Sequence, residues 1–166
     1  MKEYIHGGDI YRHPDVLDFS ANINPLGTPP AVVQAAKDSM EWICHYPDAC
    51  QEKLKQALAA YEQVPVEWLI CGNGAAELIF ALVQAVKPKR ALVMAPTFAE
   101  YVQALEAVGC EVDREILKKE DGFTLQRTIL EKLQKEDLQM VFLCNPNNPT
   151  GILINTEASA GDCNDL

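Results

Sequence analysis

At 166 residues and 48% hydrophobic content, the chain is long enough for one domain with a real core and short for two full ones. A net charge of −10 and a pI near 4.7 argue against nucleic acid or an acidic membrane surface as partner, because phosphate-rich surfaces recruit clustered Lys and Arg that this sequence lacks. No apolar run reaches the roughly eighteen residues of a membrane span, and the start "MKEYIHGGDIYRH" has no apolar signal core, so a cytosolic protein with reduced thiols is expected.

Residues 1–30 carry loop signals and little regular pattern, as an arm that wraps over a site or a partner subunit would. "PPAVVQAAKDSMEWI" then reads as a helix opened by its prolines, with Val32, Val33, Ala36, Met40 and Ile43 at helical spacing. "CQEKLKQALAAYEQ" is a second amphipathic helix with Leu54, Leu58 and Tyr61 on one face. "EWLICGNGAAELIFALVQAVKPKR" reads as a short strand, a glycine turn and a nearly all-apolar helix, expected to be buried, that stops before Pro88. "ALVMAPTF" is an apolar strand ended by Pro96, "AEYVQALEAVGC" a helix closed by Gly109, and "CEVDREIL" alternates as a strand does. "TLQRTILEKLQKED" is a further amphipathic helix, and "LQMVFLCNPNNPTG" a strand running into a loop. Alternating helices and strands predict an α/β architecture with a mostly parallel sheet. The last residues, "NTEASAGDCNDL", are polar, aperiodic and unlike the end of a fold.

Six cysteines at 44, 50, 71, 110, 144 and 163 form no C-x-x-C pair, so a zinc site has little support, and Cys44, His45 and Cys50 are better read as packing or surface residues than as ligands. Cys71 and Cys144 end apolar runs and are expected in the core.

Three loops follow strands and face one edge. In "GNGAAE", the glycines permit a tight turn, and the free N–H groups that open the helix could hold a phosphate on Gly74, Ala75 and Ala76; a turn with no ligand explains the same residues. Glu77 stands where a dinucleotide motif needs its third glycine, no acidic residue ends the next strand, and no G-K-[ST] follows, which disfavours both NAD and a Walker loop. In "APTFAEY", Phe98 could stack on a flat cofactor or pack in the core. In "NPNNPTG", two Asn–Pro units suggest an extended, rigid loop presenting amides.

"GNGAAE", "APTFAEY" and "NPNNPTG", in this order and spacing, resemble the fold-type I pyridoxal-phosphate enzymes of the aspartate aminotransferase superfamily. "HGGDIYRHPDVLDFSANINPLGTPP" is similar to the start of the threonine-phosphate decarboxylases of the cobalamin pathway, relatives of the histidinol-phosphate aminotransferases. The resemblance runs over residues 5 to 154. It implies an incomplete three-layer α/β sandwich, with an arm over 1–30, part of the cofactor-binding large domain over 31–154, and a tail over 155–166 outside the family pattern. It implies pyridoxal 5′-phosphate as cofactor, with its phosphate on the amides of Ala75 and Ala76 beside Gly74, its ring on Phe98 and its phenolate oxygen on Asn148. Tyr46 would reach the cofactor phosphate of a neighbouring subunit in a homodimer, while His6 and Asn24 would line the side taken by a phosphorylated amino acid.

The activity implied is decarboxylation of L-threonine O-3-phosphate to an aminopropanol phosphate, with amino transfer of the histidinol-phosphate type as the alternative. The family's Schiff-base lysine, pyridinium-pairing aspartate and carboxylate-binding arginine lie beyond the Asn-Pro-Thr-Gly stretch, yet no lysine or arginine follows Asn148. The chain is therefore expected to be an amino-terminal fragment. A non-catalytic remnant and a small nucleotide-binding domain are the competing readings.

Overall fold

The computed structural model describes residues 7–134 and 137–154. Contacts divide the chain into two compact units, Met1–Ile70 and Cys71–Leu166. His6 and the tail 155–166 lie outside the described residues.

In the first unit residues 7–29 form no helix or strand and are held by short polar turns. Asp18 accepts the Ser20 N–H at 2.7 Å and its hydroxyl at 2.5 Å, bonds that hold the carboxyl below its ordinary pKa, while Ser20 Oγ accepts the Gly8 N–H at 2.9 Å. A Cβ on Gly7 would fall 1.9 Å from the Ser20 carbonyl oxygen, so this closure needs glycine. Helix α1, Pro30–Asp38, starts at a proline whose missing N–H would have had no helical acceptor, and a 3-10 turn, Ser39–Trp42, follows it. Helix α2, Glu52–Glu62, is entered through Asp48, whose carboxylate accepts the N–H groups of Cys50 and Glu52 at 3.0 and 2.9 Å. Neither helix buries a residue, and the predicted apolar face of α2 leaves Leu54 51% and Tyr61 81% exposed.

The segment expected to pair as a strand before the glycine turn does not. A 3-10 turn, Val66–Trp68, precedes it, and Leu69 is extended but joins no ladder among the described residues. An apolar run supplies β propensity, but a strand exists only where a neighbouring backbone accepts its hydrogen bonds.

The second unit holds α3 (Ala75–Val86), β1 (Arg90–Ala95), α4 (Ala99–Ala107), β2 (Glu111–Ile116), α5 (Ile129–Leu133) and β3 (Met140–Phe142). The three strands form a parallel sheet in the order β2-β1-β3, with Arg90 opposite Glu111 and Ala91 opposite Met140. This is the α/β architecture with a parallel sheet that the sequence pattern predicts. Strand β1 is central, and Ala91, Leu92, Val93 and Met94 are each at most 2% exposed, which is why it reads as a continuous apolar run. Ala91 and Val93 share one face with Val83 of α3, Ala104 and Leu105 of α4, and Cys110. Burying a side chain such as Leu105 contributes about 1.5–3 kcal/mol.

Ion pairs fasten the sheet at both ends of its strands. Arg90 donates from Nε to Asp113 at 3.0 Å and from Nη1 to Asp137 at 2.7 Å, joining the start of β1 to β2 and to the segment before β3. Lys132 of α5 reaches Glu115 at 2.5 Å and the Arg114 carbonyl at 3.1 Å.

Four further expectations need correction. Helix α3 is not buried all round: Val83 is, but Leu82 and Val86 are 51% and 50% exposed, because its packed side meets α4 and β1. The predicted helix over 124–137 is helical only from Ile129, since i to i+3 bonds from Ile129 to Gln126 and from Leu130 to Arg127 hold its start in tight turns. Cys71 and Cys144 are half-buried, and among the described residues Cys110, at the turn between α4 and β2, is the core cysteine. The "NPNNPTG" loop is folded back on itself by bonds between Asn147 and Gly151 and between Asn147 and Ile152.

Candidate functional site

Parallel pairing makes β1 and β3 end at the same edge, so the loops after Ala95 and Phe142 leave side by side. From there the chain crosses to β2 on one side, while β3 lies on the other, and α/β sheets open a crevice at such a divergence. Helix α3 packs on the sheet and enters β1 through Lys87–Lys89, which requires it to run antiparallel to β1 and brings Gly74–Ala76 toward the same edge.

At the start of α3, Gly74 has φ 86° and ψ 168°, a conformation essentially reserved to glycine. A Cβ there would meet nothing within 4 Å, so the space in front of the turn is open. The first N–H groups of a helix have no acceptor inside it, and those of Ala75 and Ala76 meet none among the described residues. Such a turn has the geometry that can hold an anion. Glu77, noticed in the sequence only as a misplaced third glycine, braces it: its carboxylate accepts the Asn73 N–H, and its Oε2 lies 2.8 Å from where a Gly72 Cβ would be.

Phe98 immediately precedes α4 and is half-buried. It meets Tyr101 edge-on, centroids 5.7 Å apart at 77°, and Tyr101 stacks on Phe142 of β3 at 4.5 Å and 12°. The packing and stacking readings of Phe98 are thus not exclusive, since Tyr101 supports its edge. Tyr101 is itself pushed up to a pKa of about 12, first by burial and then by its hydrogen bond to Cys144.

The third loop is a compact turn where an extended one was expected. The Gly151 N–H donates to the Asn147 carbonyl at 2.6 Å and the Asn147 N–H to the Ile152 carbonyl at 2.9 Å. Asn148 is half-buried, with its own N–H on Cys144 Sγ at 3.4 Å. The residue that sequence reasoning passed over is Asn147, 4% exposed. Adjacent asparagines in "NPNNPTG" carry the same amide, and burial shows which of them is held inside the fold.

Gly74, Ala75, Ala76, Phe98 and Asn148 all belong to the second unit. Tyr46 and Asn24 belong to the first. Tyr46 is 100% exposed, in a stretch with Trp42 and Ile43, which are 69% and 71% exposed. Asn24 uses both ends of its amide locally, accepting the Leu26 N–H at 3.0 Å and donating to the Gly27 carbonyl at 3.2 Å.

An anion cradle, an aromatic face and an amide at one sheet edge suit a flat, phosphate-bearing ligand. Comparison with known proteins gives the same direction. The family described as aminotransferase class I and II matches residues 14–159. A threonine-phosphate decarboxylase of Salmonella typhimurium is 49% identical over 156 residues, covering 89% of this chain and 43% of the relative. A histidinol-phosphate aminotransferase of Symbiobacterium thermophilum is 33% identical over 159 residues, covering 91% of this chain and 43% of its own. Among solved structures, the histidinol-phosphate aminotransferase of Clostridium acetobutylicum superposes with a TM-score of 0.75 at 28% identity, over 88% of this chain and 42% of that one. The chain spans less than half the length of these relatives.

Proposed function

Since the chain belongs to the aminotransferase class I and II family, we propose that in the whole protein it forms the cofactor-binding part of a threonine-phosphate decarboxylase. The family's decarboxylases and aminotransferases depend on pyridoxal phosphate, and the fold shared with its solved structures is fold-type I. The observation that carries the reading is the convergence of cradle, aromatic and amide on one sheet edge, in a chain similar over most of its length to a threonine-phosphate decarboxylase.

The residues present fit the cofactor. Ala75 and Ala76, beside Gly74 with its open space, offer N–H donors to the phosphate. Phe98 offers a ring held from its edge by Tyr101. Asn148 offers an amide to the phenolate oxygen. Bound there, the cofactor supplies an electron sink for the pair left when a carboxylate departs as CO2. What this chain contributes is binding and orientation: helix-end N–H groups anchor the anion, and the Phe98 face shields one side of the ring from water. For the substrate side the resemblance points to His6 and Asn24, and Tyr46 takes the cofactor phosphate of a second subunit in a homodimer, for which its full exposure leaves it available. The substrate is a phosphorylated amino acid, consumed in cobalamin biosynthesis in the cytoplasm.

The histidinol-phosphate aminotransferase reading is the second, favoured by the likeness to the Clostridium acetobutylicum structure. Incubating the whole protein with each substrate separates the two. Release of CO2 and an aminopropanol phosphate from threonine O-3-phosphate supports the first, whereas amino transfer from histidinol phosphate to 2-oxoglutarate without CO2 release establishes the second and removes the first.

A further inference from the structure

Asn147 is 4% exposed, and a polar side chain at that depth must find partners. Its Oδ1 accepts the Thr97 hydroxyl at 2.9 Å, and its Nδ2 donates to the Pro96 carbonyl at 3.1 Å and to Thr150 Oγ1 at 2.9 Å. The Pro96 carbonyl fixes the orientation of the amide. Turned over, Oδ1 would face that carbonyl, acceptor against acceptor, so one acceptor and one two-hydrogen donor are both required. Two of the three bonds cross to the loop leaving β1, 50 and 51 positions away in sequence, and the third returns to the Asn147–Gly151 turn. The clamp therefore sits in the crevice between the ends of β1 and β3, directly between Thr97, which precedes Phe98, and Asn148, its own neighbour.

Resting on the reading of Phe98 and Asn148 as cofactor contacts, we propose that Asn147 is the positioning residue of this site: it locks the Pro96–Phe98 loop to the Asn147–Gly151 turn, so that the aromatic face and the amide donor keep one separation. Asn147 touches no cofactor atom itself. Its bonds end on a main-chain carbonyl and on two short hydroxyl side chains, so losing them moves backbone, and displacements on the order of 1 Å are enough to spoil a binding constellation.

The test uses the 166-residue chain, with pyridoxal phosphate and inorganic phosphate as probes. Asn147→Ala removes the clamp. Asn147→Asp keeps its size and the acceptor for Thr97 but sets a carboxylate oxygen against the Pro96 carbonyl. Both variants should bind pyridoxal phosphate about tenfold more weakly and lose its induced circular dichroism, while inorganic phosphate, held at the start of α3, binds within about twofold of the wild type. Thr97→Ser, which retains the hydroxyl, should restore the signal that Thr97→Val loses. Wild-type binding and dichroism in either Asn147 variant overturns the proposal, as does loss of both probes together, which would report a general loosening. Should the wild-type chain take phosphate yet give no dichroism with pyridoxal phosphate, the ring is not held by this chain alone, and amide exchange judges the clamp. Exchange about tenfold faster at Asn148 and Gly151 in Asn147→Ala, with Leu92 and Val93 unchanged, sustains it; unchanged exchange overturns it.

Discussion

The ring of Tyr101 lies almost flat on that of Phe142, centroids 4.5 Å apart and planes 12° from parallel, so the first turn of α4 is stacked on the last residue of β3. This contact crosses between elements far apart in sequence and stands directly behind Phe98. Tyr101→Ala should cost about 2 kcal/mol, below the roughly 3–5 of a fully buried aromatic because Tyr101 is half-buried. Tyr101→Phe keeps the stack and should lie within about 1 kcal/mol of the wild type. Urea unfolding of both measures the difference, and equal losses would show that the ring contact contributes nothing.

The same tyrosine gives the chain an alkaline limit. Its phenol has an ordinary pKa of 10.0 and is pushed up to about 12 in the fold, first by burial. Below pH 10 folded and unfolded chains both carry the proton, and the stabilisation is fully present. Between pH 10 and 12 the unfolded chain releases it while the folded chain holds it, so stability falls with rising pH through that window. Tyr101→Phe should lack this component of the slope. Identical unfolding profiles from pH 9 to 12 would count against it.

Leu105 is 0% exposed in the layer between α4 and the sheet, and Leu82 is 51% exposed on the far side of α3. Leu105→Ala should therefore cost about 3 kcal/mol, transfer and cavity terms together, and Leu82→Ala less than about 1. Comparable losses on chemical unfolding would mean that the outer side of α3 is covered in solution.

Gly74 stands at φ 86° and ψ 168° with open space where a Cβ would be. The penalty of Gly74→Ala is then conformational and not steric, about 1–3 kcal/mol if the turn is kept. Any shift of the turn also disperses the N–H groups of Ala75 and Ala76. Calorimetry should show weakened inorganic phosphate binding along with a lower melting temperature, and a variant unchanged in both would remove the cradle.

Phe98 is proposed to stack on the cofactor ring while its edge rests on Tyr101. Phe98→Ala should weaken pyridoxal phosphate binding about three- to tenfold, the range of an aromatic contact, and Phe98→Trp should restore it. Inorganic phosphate binding should be unaffected by either change. Equal binding of pyridoxal phosphate by the two variants would place the ring elsewhere.

Much of this protein was legible from the sequence because the signals are local. The apolar run at 91–94, the helix closed by Gly109 and the glycine turn before α3 each depend on a few neighbouring residues, and each stands where it was read. The elements that came out differently are those whose state depends on a distant partner. Leu69–Cys71 has strand propensity but no ladder to join among the described residues, and α3 has apolar residues all round but packs on one side.

The candidate site divides the same way. Residue order determined by itself that a glycine turn, an aromatic and an Asn-Pro-Thr-Gly stretch follow one another, and that no dinucleotide or Walker pattern is present. Only the tertiary structure decided which asparagine is buried, that the third loop folds back as a turn, and that Tyr101 carries Phe98 on Phe142. The reason is physical: a side chain's hydrogen-bonding role is set by what surrounds it once strands far apart in sequence pair, and the amides of Asn147 and Asn148 are chemically alike until β1 and β3 bring their loops together.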